Sequence, residues 1–176
     1  NWKVIEYRKN EAEEERIKQN NIQPNVLHFA THGYFVEDVA TVADASEELA
    51  EIQALQSPML RSGILLAGAG DALEDNSNVN TRNGILTAYE MANMPYDNVD
   101  IAILSACETG LGDVQVGEGV FGLQRSLLVG GAKSIVMSLF KVDDSVTAEL
   151  MSEFYENYLQ NPQEPREAFR KAKMAI

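Results

Sequence analysis

A chain of 176 residues, 45 % hydrophobic and 23 % charged, is one domain by default and long enough to bury a sizeable core; its composition is that of a soluble globular protein and argues against disorder. Its 27 acidic and 14 basic residues give a net charge of −13, which argues against nucleic acid, because phosphate binding draws on Lys and Arg. A single cysteine excludes an internal disulfide framework and fits a reducing compartment.

The surplus of acid has an ordinary reading, solubility, and a functional one, attraction of cationic substrates or partners. No apolar run reaches the roughly 18 residues that would mark a membrane span, and no signal-peptide pattern opens the chain. The expected location is the cytoplasm, with no membrane partner. The first residue is Asn1 and the last segment still has a helical pattern, so residues 1–176 read as a single domain cut at both ends from a longer protein.

In chain order, residues 2–7 could form an edge strand. Residues 11–19 are charged and helix-prone, broken by Asn20, Asn21 and Pro24. Residues 26–30 are the first clear strand and run into Thr31, His32 and Gly33, where a glycine permits a tight turn and close backbone approach. A helix is predicted over 46–55, with Leu49, Ile52 and Leu55 on one face. Residues 63–67 form the next strand, and residues 71–83 read as an exposed polar loop. A helix is predicted over 86–94, stopped by Pro95.

Residues 101–106 are apolar without alternation, the pattern of a strand buried on both faces in the middle of a parallel sheet. A helix over 119–128 carries Val120, Leu123 and Leu127 at helical spacing and stops at Gly130 and Gly131. Residues 134–140 give a further buried strand. Asp143, Asp144 and Ser145 start a helix running to about residue 159, with Leu150, Met151, Phe154 and Tyr158 as its apolar positions. A last helix begins near Arg166. Strands alternating with helices predict an α/β fold with a mostly parallel sheet.

Two residues carry the chemistry, His32 and Cys107. Each sits just past the end of an apolar strand, and in a parallel sheet such ends share one edge, where α/β folds keep their ligands. A Cys–His pair suffices for nucleophilic catalysis and needs no metal or cofactor. A positive neighbour raises the thiolate fraction of a thiol whose free pKa is about 8.5, and imidazole then protonates the leaving amine. The ordinary reading of Cys107 is a small buried hydrophobe. His28, inside the first strand, reads as a packing histidine. A His28/His32 zinc pair would want a helix and further ligands. Gly68-Ala69-Gly70 begins like a dinucleotide fingerprint, but the third glycine falls on Leu73. Glu118, between Gly117 and Gly119, reads as a helix-start carboxylate or as a group that orients a loop or a cationic substrate.

Taken together, 28-HFATHG-33, 104-LSACETG-110, 117-GEG-119 and 131-GAKSIVMSLFKVDD-144 resemble the CHAT family, caspase-like domains often attached to tetratricopeptide repeats. The resemblance covers about residues 10–176, with four motifs in order. It implies a caspase-like α/β/α sandwich related to caspases, separases and gingipains. It places a catalytic dyad on His32 and Cys107, and an oxyanion hole on the backbone N–H groups of Gly33 and Cys107. The nucleophile motif of caspases differs from Ser105-Ala-Cys-Glu-Thr-Gly110, so caspase specificity does not carry over. Residues 139–144 would line the cleft, with Asp143 and Asp144 receiving an Arg or Lys of the substrate; the ordinary reading of these two is a helix N-cap.

The expected activity is therefore that of a cysteine endopeptidase cutting a protein or peptide substrate after a basic residue. Residues 71–83, which include Arg82, are a candidate self-processing loop. The rival class is a catalytically silent caspase-like interaction module in a bacterial signalling or defence protein, with a helical-repeat region elsewhere in the full chain. A nucleotide-binding α/β domain is a third reading, weakened by the failed glycine pattern.

Overall fold

The computed structural model describes residues 2–19, 23–35, 59–70, 84–105, 118–138 and 143–176. The chain divides into two compact units, Asn1–Leu139 and Phe140–Ile176. The helix predicted over 46–55 and the loop 71–83 lie outside the described residues.

The first unit is organised around the apolar run. Ile101–Leu104 forms β5, and all four of its side chains are buried. It lies between β1 (Val26–Phe29) and β6 (Ile135–Met137) in a parallel sheet of order β1-β5-β6. A strand enclosed on both faces has no polar side to display, which is why its sequence does not alternate. β6 is only half-buried, because it is the outer strand of the described sheet.

A second sheet was not foreseen. β2 (Gly33–Phe35), β3 (Ser62–Leu65) and β4 (Ile85–Thr87) form an antiparallel sheet of order β2-β3-β4. The helix expected over 86–94 thus begins as a strand and becomes helix only at α2, Ala88–Ala92. The switch is made at Thr87. Its side chain accepts the Glu90 N–H at 3.2 Å while Glu90 Oε2 accepts the Thr87 N–H at 2.9 Å, a reciprocal capping box that satisfies two helix-end donors.

The expected edge strand over 2–7 is also absent. Residues 2–8 join no ladder among the described residues, and Trp2, Val4, Ile5 and Tyr7 are exposed. The helix expected over 11–19 shortens to α1, Glu14–Lys18. Glu14 is buried; it accepts the Gly84 N–H at 3.1 Å and pairs with Lys18, which reaches Glu90 at 2.7 Å. This tethers the N-terminal helix to the start of β4.

The core of the first unit joins Phe29, Ile64, Leu86, Met91, Ala102 and Leu104 to Leu123 and Leu127 of α3, Glu118–Val129. Burying each large apolar side chain contributes about 1.5–3 kcal/mol. α3 ends as its glycines predict. Gly131 has φ +106°, Ala132 N–H donates to Leu127 C=O at 3.0 Å, and Gly131 N–H donates to Leu128 C=O at 3.1 Å, the bonding of a Schellman stop.

The second unit is a helical hairpin of α4, Asp144–Gln160, and α5, Pro165–Ala175. Met151, Phe154 and Tyr158 are buried, as their spacing predicts, while Leu150 is half-buried. Phe154 stacks on Tyr158 at 5.4 Å and meets Phe169 edge-on at 5.8 Å. Pro165 occupies the first turn of α5, where a missing N–H costs nothing. The fold is α/β, with a parallel three-stranded sheet and helices, consistent with a caspase-like architecture. Among the described residues no helix is long and apolar enough to cross a membrane.

Candidate active site

The site is set by the parallel pairing of β1 with β5, in which Val26, Leu27, His28 and Phe29 stand opposite Ile101, Ala102, Ile103 and Leu104. Parallel strands leave a sheet at the same edge. The segments leading to His32 and to Cys107 therefore depart side by side from neighbouring strands, although β2, β3 and β4 lie between them in sequence. Parallel topology predicted a shared edge for the two strand ends; the structure makes the two strands direct neighbours. Cys107 itself lies outside the described residues, which stop on this side at Ser105.

His32 is exposed and sits in the three-residue passage from the parallel sheet to the antiparallel one. Leu65 pins that passage twice. Its N–H donates to the His32 carbonyl at 2.8 Å, and its carbonyl accepts the Thr31 hydroxyl. The backbone of His32 is thereby fixed to β3, and the residue is exposed.

Gly33 does not form the expected tight turn. It enters the β2–β3 ladder opposite Ile64, because Tyr34 and Phe35 continue directly into pairing with Gly63 and Ser62. The register fixes where its amide points. Hydrogen-bonded and non-bonded pairs alternate along an antiparallel ladder. Since Leu65 donates to His32, the next pair, Gly33 with Ile64, is non-bonded, and the Gly33 N–H is directed away from β3. β2 is the outer strand of the described sheet, so this donor lies on its outer edge.

His28, which the sequence suggested as a satisfied core or packing histidine, is satisfied but not in the core. Leu27 and Phe29 turn toward the core cluster, while the His28 ring is exposed and its Nε2 lies 2.8 Å from Ser105 Oγ. Partial desolvation holds its pKa below the ordinary histidine value. In the observed register His28 faces Ile103, and residue 105 lies two positions on, projecting to the same side of the sheet.

The acidic candidates are placed as follows. Glu118 is the first residue of α3, as its position between glycines predicts; its side chain lies outside the described residues. Asp143 and Asp144 are exposed residues of the second unit. Of the two cap candidates, Asp143 is the N-cap of α4 and Asp144 is the first helical residue. Asp143 Oδ1 accepts the Ser145 N–H at 2.8 Å, the Val146 N–H at 3.3 Å and the Ser145 hydroxyl. These bonds, the Ser145 hydroxyl first, hold its carboxyl below the ordinary aspartate pKa. Among the described residues no group of three or more His, Cys, Asp or Glu side chains is arranged to hold a metal ion.

The family model of the CHAT domain matches residues 4–176 of the chain. No curated protein and no solved structure matches it.

Proposed function

The chain belongs to the CHAT family, a caspase-like, peptidase-related family, and from that premise we propose that it is a cysteine endopeptidase with Cys107 as nucleophile and His32 as its acid–base partner. The observation that supports this reading is the direct parallel pairing of β1 with β5, whose ends, followed in sequence by His32 and Cys107, lie on one edge of the sheet.

In the proposed reaction the Cys107 thiolate adds to the scissile carbonyl carbon, and the carbonyl electron pair moves onto oxygen. The outward-directed Gly33 N–H, with that of Cys107, receives the oxyanion; one such donor is worth roughly 3 kcal/mol of transition-state stabilisation. The His32 imidazolium protonates the leaving amine as the C–N bond breaks, leaving an acyl-enzyme. Neutral His32 then takes a proton from a water whose oxygen adds to the acyl carbon; the C–S bond breaks, the product leaves as a carboxylic acid that gives its proton to solvent, and the thiolate–imidazolium pair is restored.

The residue preceding the cleaved bond is proposed to be Arg or Lys. A net charge of −13 attracts cationic substrates, and Glu118, Asp143 and Asp144 are the carboxylates assigned to that attraction. The site acts on protein or peptide, in the reducing cytoplasm and without a resident cofactor.

A peptidyl electrophile ending in Arg tests the reading. It should label Cys107 in the intact chain and fail to label the His32→Ala variant. Equal labelling of both, or none of either, would favour a catalytically silent interaction module.

A further inference from the structure

We propose that His28 is a positioning residue for the nucleophile, acting through Ser105; this deepens the peptidase reading and rests on it for its catalytic consequence. Ser105 is held to β1 at two atoms by two consecutive residues. Its backbone N–H donates to the Phe29 carbonyl at 2.9 Å, and its Oγ lies 2.8 Å from His28 Nε2. The strand leading to Cys107 is thus clamped, at its point of exit, to the strand leading to His32.

Folding does not require this side-chain bond. Four residue pairs already set the β1–β5 register, and Ile101, Ala102, Ile103 and Leu104 are buried without it. The bond is exposed, where exchange with water leaves a hydrogen bond little net effect on stability. His28 is nevertheless the single polar residue of β1, and Ser105 is the first polar residue after the apolar run of β5. They meet on the exit edge, two residues before Cys107. What the bond supplies is orientation: with its amide and its hydroxyl both engaged, Ser105 gives the following peptide a fixed starting direction. Loss of a few tenths of an ångström there is felt in chemistry more than in melting. Partial desolvation lowers the His28 pKa from its ordinary value, which favours the neutral ring and is in keeping with a hydrogen-bonding role.

The test is a double-mutant cycle in the full chain with His28→Ala, Ser105→Ala and the pair together, read by kcat and KM for an Arg peptide and by the iodoacetamide alkylation rate of Cys107. With one cysteine in the chain the alkylation signal is unambiguous. Each single variant should lower kcat and the alkylation rate by about three- to tenfold, the scale of one hydrogen bond, with KM and the melting temperature unchanged. The double variant should be no slower than either single one, and His28→Gln, which can still bond Ser105, should recover most of the loss. Unchanged rates in both single variants, or fully additive losses, overturn the proposal. If His28→Ala does not fold, Ser105→Ala and His28→Gln still decide it. If Cys107→Ala retains full cleavage, the peptidase reading fails, whereas the coupling of His28 to Ser105 is still read from alkylation of the wild-type thiol.

Discussion

Phe29 stands opposite Leu104 in the β1–β5 ladder, and His32 and Cys107 each follow their own member of that pair by three residues. Three residues reach at most roughly 10 Å, while neighbouring strands lie about 4.8 Å apart. Equal tethers from paired positions are compatible with a thiol and an imidazole meeting above the sheet edge, the arrangement the proposed chemistry requires.

Asp143 separates charge from structure. Asn caps helices about as well as Asp, so Asp143→Asn should keep the melting temperature of the wild type while lowering kcat/KM for Arg peptides. Asp143→Ala should lower both. Because native bonding depresses the Asp143 pKa, its contribution to stability is complete above the unfolded value near 3.8 and is lost as pH falls through the lower folded value. A kcat/KM unchanged in Asp143→Asn would remove this residue from substrate attraction.

Gly131→Ala should destabilise the first unit. A left-handed backbone costs an L-residue about 1–2 kcal/mol, and the added Cβ would lie 2.9 Å from Asp97 Oδ1 and 3.1 Å from its backbone nitrogen. Urea unfolding should show a lower midpoint at constant slope.

Glu90→Gln should destabilise at neutral pH and much less in acid. Burial raises the Glu90 pKa, but the Lys18 ion pair and the Thr87 capping bonds outweigh it, so the folded value lies below the ordinary one. A depressed carboxylate stabilises above its unfolded pKa, near 4.5, and that contribution disappears as pH falls through the folded pKa. The loss at pH 7 should be about 1 kcal/mol, the scale of a helix cap. Thermal unfolding of both proteins from pH 7 to pH 3 should show the gap closing.

Self-processing at residues 71–83 is testable by intact mass. Incubated wild-type protein should yield fragments cut after Arg82, and Cys107→Ala should stay whole. A wild-type mass that never changes under conditions in which the protein cleaves Arg peptides rejects a processing loop.

Much of the fold was legible in the sequence, and the reasons for the rest are physical. β5 declared itself because burial on both faces leaves an unbroken apolar run, and α3 declared its end through Gly131. β2 and β4 were missed because three residues are too short to show a period of two. Leu86 inside β4 was also absorbed into a helical pattern that begins in earnest only at Ala88. Residues 2–7 are apolar enough to suggest a strand, but they find no partner strand among the described residues. Asp143 and Asp144 are equally good caps by residue type, so only backbone geometry could choose between them. For the site, a shared edge for the ends of the strands that precede His32 and Cys107 followed from parallel topology. The direct adjacency of β1 and β5 did not, since spatial order in a sheet is not chain order. The partner that satisfies His28 was not legible, because a histidine in a strand carries no sequence signal of its partner until the register is known.

The most direct test of the central claim is the pH dependence of Cys107 alkylation in wild type and in His32→Ala. A thiol paired with His32 should titrate well below its free value of about 8.5, and His32→Ala should return it to that value with a matching loss of rate at neutral pH. The same midpoint in both proteins, at the free value, would contradict the dyad.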